Sequence, residues 1–297
     1  YSVITWTGML LFGVEKWLRH GEAFSLVFGL LAQFAPSELR VIDASVCAQC
    51  SSECRDKTRG CVNCGDCFSR VIKGGRELNL RPYAVGLLVS RNVSASLMVF
   101  VVLVLSTVTF DGFTATSAWA DIQSSLAQEV PNATAVKTLG LLVFVGLFLA
   151  VYLFFSTLMA SASGNRQTAG NMARAFVVSL IPIALAYHLA HYLSFLLIQG
   201  QLVIPLASDP FGFGWNLFGT VDYRVDISVI NARFAWVIAV AAIVVGHIVA
   251  VYLAHVMALR ILKDSRLALN SQYPMLLLMV GYTMVSLWIL AQPIVET

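Results

Sequence analysis

The chain has 297 residues, of which 58% are hydrophobic and 12% charged, with a net charge of +3 and a mean hydropathy of +0.79. This composition excludes an ordinary soluble domain and gives no reason to invoke nucleic acid, because a small positive balance on so apolar a chain is a signal of membrane topology. The predicted fold class is all-α: a polytopic transmembrane helix bundle with five clear spanning helices, short N-terminal apolar segments and a Cys-rich cytoplasmic loop.

The first apolar run, residues 2–12, is too short to cross a hydrocarbon core of about 30 Å, which takes roughly 20 helical residues. The chain starts in apolar sequence without a Met, which points to a helix upstream, and no signal peptide is visible. Glu15, Lys16, Arg19, His20 and Glu22 come next. Charge this dense predicts a headgroup-level turn with Glu15 and Arg19 paired at i, i+4; the alternative is that Glu15 and Glu22 reach the core as carboxylate ligands. Run 23–35 is also short and reads as re-entrant or tilted. Three segments follow: N-terminal membrane segments at 1–36, a Cys-rich zinc-binding loop at 37–92 and a five-helix transmembrane domain at 93–297.

The loop holds all six cysteines, Cys47, Cys50, Cys54, Cys61, Cys64 and Cys67. In an oxidising compartment they would form disulfides; in a reducing cytosol they would hold a metal. Cys47/Cys50 and Cys61/Cys64 have zinc-knuckle spacing, each pair placing two thiolates on one tetrahedral ion, with Cys54 and Cys67 left to share a second ion or stay free. Gly60, Asn63 and Gly65 supply the tight turns. Cys61-x2-Cys64-x2-Cys67 also partly resembles an iron–sulfur run, without the usual fourth spacing. A structural zinc would staple a loop that has little apolar core of its own.

The five spanning runs are residues 93–110, 138–161, 174–199, 230–262 and 273–295. Basic and acidic connections alternate between them. The Cys loop carries Arg40, Arg55, Lys57, Arg59, Arg70, Lys73, Arg76, Arg81 and Arg91, and the next connection Asp111, Asp121 and Glu129. Then come Arg166 and Arg174, then Asp209, Asp222 and Asp226, then Arg260, Lys263 and Arg266, with Glu296 in the tail. Positive charge stays inside, so the reading is a cell (plasma or inner) membrane with the Cys loop cytoplasmic and the C-terminus outside. Residues 116–130 read as an amphipathic segment on the outer surface anchored by Trp119. The Gly- and aromatic-rich stretch 209–220 reads as an interfacial loop, or as a lid over an outward-opening pocket.

Ionisable groups at membrane depth are costly and usually face a bundle interior. His188 and His191 share a helix face at i, i+3, and His247 and His255 lie on the next helix. At about 1.5 Å per residue, His188 stands roughly 21 Å from Arg174 and His247 roughly 20 Å from Arg260, so the two match in depth. His188, His191 and His247, with Asp111 from above, would then suit Zn2+, Cu2+ or Fe2+. The depth match equally fits bis-histidine haem ligation by His188 and His247, in a slot left by Ala184, Ala186, Gly246 and Ala250. The alternatives are that Tyr187, Ser179 or backbone carbonyls satisfy each histidine singly as interhelical glue, or that the histidines relay protons. Pro182 is expected to interrupt its helix about two turns before His188.

Several strings form a recognisable set: Trp6-Thr-Gly-Met-Leu-Leu-Phe-Gly13, Gly21-Glu-Ala-Phe-Ser-Leu-Val-Phe-Gly29, Phe34-Ala-Pro36, Phe110-Asp-Gly-Phe113, residues 209–220, Gly246-His-Ile-Val-Ala-Val-Tyr-Leu-Ala-His255, Ser271-Gln-Tyr-Pro-Met275 and Ile289-Leu-Ala-Gln-Pro-Ile-Val-Glu296. Together they resemble the bacterial integral membrane proteins named fenitrothion hydrolases. The resemblance implies hydrolysis of an organophosphate ester within the membrane and a longer upstream sequence. It brings no catalytic residues with it. Three function classes follow: a metal-dependent hydrolase of small apolar esters that enter sideways from the bilayer; a haem-, copper- or iron-binding accessory or redox subunit working with other membrane subunits; and a cofactor-free transporter or scaffold. Transport is disfavoured, since no inverted repeat is visible.

Overall fold

A computed structural model describes residues 1–48, 55–56, 60–88 and 93–292, and the chain divides into two units, Tyr1–Asn92 and Val93–Thr297. Among the described residues the architecture is predominantly helical.

The first unit opens with three short helices, α1 (Ser2–Phe12), α2 (Val14–His20) and α3 (Ala23–Leu31). The chain reverses at Gly13, whose φ of 82° suits a residue without a side chain. Trp17 then folds back over α1, so closely that a β-carbon on Gly8 would stand 2.3 Å from its ring. Glu22 turns out to be a helix cap rather than a ligand: its carboxylate accepts from the amides of Phe24 at 2.9 Å and Ser25 at 2.6 Å, and from the Tyr1 hydroxyl. Hydrogen bonds from the Ser25 and Tyr1 side chains hold the Glu22 carboxyl down at about 2. Arg19 pairs with Asp66 at 3.7 Å, not with Glu15 as its spacing suggested.

The segment read as a Cys-rich loop contains β1 (Ser37–Val41), α4 (Ala44–Ala48), β2 (Arg55–Asp56), β3 (Gly60–Val62), α5 (Gly65–Arg70) and β4 (Arg76–Leu80). Its strands form an antiparallel sheet in the order β2-β3-β1-β4, with β1 paired to β4 from Ser37↔Leu80 to Val41↔Arg76. The sheet is fastened to the end of α3 by a buried ion pair. Glu38 on β1 takes Arg40 Nε at 2.5 Å on one oxygen and Arg81 at 3.2 Å on the other. Arg81 also donates to the carbonyls of Ala35 at 3.0 Å, Gln33 at 3.3 Å and Ala32 at 3.5 Å at the end of the helix, where Ala32 also takes the Ala35 amide.

The second unit supplies five stretches long and apolar enough to cross a membrane, as in a multi-pass integral membrane protein: Ala95–Thr114, Ala133–Ala162, Ala169–Ser208, Ala232–Leu262 and Ser265–Ala291. These are α6 (Ala95–Thr114), preceding the short α7 (Ser117–Leu126), then α8 (Ala133–Ala162), the composite of α9 (Ala169–Phe176), α10 (Ile181–Gln199) and α11 (Val203–Ser208), then α12 (Ala232–Leu262) and α13 (Ser265–Ala291). Each stretch starts at a capping side chain: Ser94, Asn132, Thr168, Asn231 and Asp264 all accept from backbone amides of the first turn. The last span begins at Ser265, eight residues before its sequence-based start, because Asp264 caps it and the helix runs on through Pro274. Pro182 sits in the first turn of α10, after a 3-10 turn at Val177–Leu180, where its missing N–H costs nothing.

Within this unit α10 packs on α12 and α6, α13 on α12 and α8, and α8 on α6 and α9. Trp119 is not a surface anchor: it is buried against Phe110 at 5.2 Å and over Gly140, where a β-carbon would stand 2.5 Å from the indole. The small residues of α10 and α12 let the two helices approach closely. A β-carbon on Gly246 would lie 2.5 Å from Ala186 Cβ and 2.9 Å from the Pro182 carbonyl, so at this point the helices touch. Gly246→Ala is therefore expected to destabilise the bundle by about 1–3 kcal/mol through overpacking. Gly281→Ala, with nothing within 4 Å of the added carbon, serves as the control in thermal unfolding in detergent.

Candidate functional site

The polar groups of the second unit gather where α6, α10, α12 and α13 meet. At the C-terminal end of α6, Asp111 Oδ2 accepts two hydrogen bonds, from His191 Nε2 at 3.0 Å and from the Tyr192 hydroxyl at 2.8 Å. The carboxylate can only accept, so Nε2 carries a proton, and in the neutral ring Nδ1 holds the lone pair. The Asp111 side chain is 52% exposed and that of His191 22%, so the pair is open at one side.

Behind it lies a row of aromatic rings. His191 is stacked nearly parallel on Tyr187 at 6.4 Å, Tyr187 neighbours Tyr282 at 6.2 Å, and Tyr282 neighbours His247 at 6.1 Å. Thr109 Oγ1 donates to the Leu105 carbonyl at 2.8 Å, so at its 2.7 Å contact with Tyr282 the phenol is the donor. Two members of the row are unmatched among the described residues: Tyr187 Oη and His247 Nε2 are buried without a hydrogen-bond partner. Nearly all buried polar atoms have one, so these two call for a reason.

The sequence-predicted residues separate into groups. Asp111 and His191 come together. His188 and His247 instead each hold an i−4 carbonyl of their own helix, Ala184 and Ile243, through Nδ1 at 2.8 Å. That bond makes Nδ1 the donor and leaves the lone pair on Nε2. His255 bonds Gln272 at 3.0 Å, and Ser179 is spent on the Phe176 carbonyl. Among the described residues no three His, Cys, Asp or Glu side chains form a ready metal-binding group, so the expected convergence of His188, His191, His247 and Asp111 on one ion is not assembled. Tyr192, Tyr282 and Thr109 escaped the sequence reading. Tyr187 and His191 at i, i+4, just before Tyr192, were the available signal, since that spacing stacks side chains on one helix face.

In the first unit, Cys47, Cys61 and Cys67 share one buried cluster with Val41 and Val71, and Cys64 packs against it. Cys67, left over in the sequence pairing, is thus a member of the cluster. Cys50 and Cys54 lie outside the described residues. Cys47 Sγ donates to the Val41 carbonyl at 3.3 Å. Burial, followed by the neighbouring Cys47 and Cys67 thiols, pushes the Cys61 thiol up; burial likewise raises Cys67.

Compared with protein-family models, with curated proteins and with solved structures, the chain has no match in any of the three.

Proposed function

We propose that the membrane unit is a hydrolase of small apolar esters, with His191 as general base and Asp111 as its orienting carboxylate. The observation that carries this reading is the Asp111–His191–Tyr192 constellation: an imidazole oriented by a carboxylate, its second nitrogen without a partner among the described residues, at the open end of an apolar bundle. His191 Nδ1 takes a proton from water as the water oxygen attacks the carbonyl or phosphoryl centre. The bond to the leaving oxygen then breaks and the imidazolium returns the proton to it, so ester and water become acid and alcohol. Asp111 favours the transient imidazolium, as the carboxylate does in a catalytic triad. A substrate dissolved in the bilayer would reach the bundle sideways, in keeping with the resemblance to fenitrothion hydrolases. With basic connections inside, the site opens outward.

The test is release of nitrophenol from p-nitrophenyl acyl esters and diethyl p-nitrophenyl phosphate by protein in proteoliposomes. Wild type should turn over at least one probe and His191→Gln none. If wild type is no faster than empty liposomes across the panel, the reading falls. Activity lost to a chelator and restored by zinc would assign the metal-dependent form, with Asp111 and His191 among the ligands.

A second, structural element of the reading is a zinc ion that would be held by thiolates from Cys47, Cys61, Cys64 and Cys67, which pack together although no three of them form a ready metal-binding group as they stand; Cys50 and Cys54 lie beside them in sequence. Four sulfurs suit tetrahedral zinc and would staple the small sheet. Because burial holds the Cys61 proton tightly, zinc must displace it. Zinc affinity is therefore expected to weaken about tenfold per pH unit of acidification for each proton displaced. A competition titration between pH 6 and 8 with a zinc-sensitive dye checks this, and Cys61→Ser should release the metal. Retention of full zinc content by Cys61→Ser would count against the assignment.

A further inference from the structure

We propose that residues 195–235 form an arm that rises past the membrane on the Asp111 side and binds the same arm of a second copy of this chain.

The relative heights of the helices carry the first part. Asp111 and His191 are hydrogen-bonded and so stand level. Near that level α6 ends at Thr114, α8 begins at Ala133, with Val136 packed on Phe110 and Trp119, and α13 ends at Ala291, with Ile289 against Gly112. Ala239 of α12 belongs to the same layer, clustered with Val108 and Ala190. At about 1.5 Å per residue, Arg174 lies roughly 25 Å from His191 and Arg260 roughly 31 Å from Ala239. A hydrocarbon core of about 30 Å therefore fits between Asp111 and these arginines. The third span does not stop there. Its backbone stays right-handed helical through Gly200–Leu202 into α11, which carries Ser208 roughly 25 Å beyond His191. Headgroups add only about 5–8 Å on each side, so the far half of the arm clears them.

The second part is how the arm is built. Asp209 accepts from the amides of Phe213 at 2.9 Å and Gly214 at 2.8 Å, and Ser208 Oγ from the Phe218 amide at 2.9 Å. Gln201 Oε1 accepts from the Tyr223 hydroxyl and the Asp226 amide, both at 2.9 Å. These polar groups are spent inside the arm while its apolar side chains face out. Of residues 201–230 only Ser208 is buried, and Val203, Leu206, Phe211, Phe213, Phe218 and Ile227 are 62–74% exposed. A segment meant for water is built the other way round, and an apolar patch this large marks an interface.

The occupant follows from height and area. The leaflet lies at the root of the arm, so lipid does not cover Phe211, Phe213 and Phe218 near its tip. A second copy in the same membrane holds an identical surface at the same height, and a two-fold axis along the membrane normal brings the two arms side by side. The six side chains offer on the order of 800 Å², about what each partner buries in a stable interface of standard size.

The test is energy transfer between donor- and acceptor-labelled copies of the full chain in liposomes at high lipid dilution. Wild type should show transfer. Phe211→Ser/Phe213→Ser/Phe218→Ser should weaken association about 10²-fold or more, since buried aromatic anchors carry most interface energy, with Tm unchanged. Val143→Ala/Leu147→Ala, on the exposed face of α8, should associate as wild type does. With p-benzoylphenylalanine in place of Phe213, illumination should give a covalent dimer. A monomeric wild type, undiminished transfer in the triple serine variant, or an equal loss in the α8 variant would overturn the proposal. So would an adduct at 213 with lipid, or in cells with a different protein, in place of the dimer. No substrate enters these measurements, so they stand or fall apart from the hydrolase reading.

Discussion

Asp111→Ala is expected to slow ester hydrolysis about 10²–10⁴-fold, the range that a positioned acid–base group contributes. The carboxylate has two tasks at one oxygen, where it accepts from both His191 and Tyr192. In the proposed reaction it keeps the proton on Nε2, leaving Nδ1 as the base, and it offsets the charge of the imidazolium. Asp111→Asn separates the two tasks. The amide oxygen can still accept both hydrogen bonds, so the tautomer survives while the charge is lost, and an intermediate rate is expected. Tyr192→Phe removes one donor to that oxygen and leaves His191 in place, so its effect should be the smallest of the series. The measurement is kcat/KM for the most reactive nitrophenyl probe in proteoliposomes. A ranking in which Tyr192→Phe is as damaging as Asp111→Ala would point to structural collapse at the end of α6.

Arg81→Ala should destabilise the first unit by about 3–5 kcal/mol, the usual cost of removing one partner from a buried ion pair. Glu38 is 2% exposed and would be left with Arg40 alone. The carbonyls of Gln33 and Ala35 would lose their donor at the same time, while that of Ala32 keeps the Ala35 amide. Arg81→Lys should recover little, because one ammonium cannot reproduce a planar fork that serves a carboxylate and three carbonyls. Glu38→Ala together with Arg81→Ala should cost less than the sum of the single changes, since neither member of the buried pair is left without the other and Arg40 is partly exposed. Hydrogen exchange over residues 32–41 and 76–88 reads the effect where it arises.

Both predictions rest on residues whose partners are distant in sequence, and this divides what was legible from what was not. The spans were legible because hydropathy is additive along a chain, and Asn132, Asn231 and Asp264 mark helix starts that local capping rules would have found. The sheet around β1 was not, since strands of five residues or fewer carry too little alternation to stand out beside cysteines and charges. Trp119 misled for a related reason: an indole at a membrane surface and an indole seated over Gly140 have the same local sequence.

By itself, then, the sequence determined that the chain is a multi-pass helical bundle with five apolar spans, that its charges alternate between them, and that its thiols cluster in one segment. Composition and spacing are local quantities and need no neighbour to be read. Only the tertiary structure decided which polar groups meet: His191 with Asp111 across 80 residues, and His188 and His247 with carbonyls of their own helices. Depth along a helix follows from a rise per residue, but the direction a side chain faces depends on how each helix is rotated about its axis. In nearly uniform apolar helices the sequence pattern leaves that rotation open, and close contacts such as Gly246 on Pro182 and Ala186 settle it.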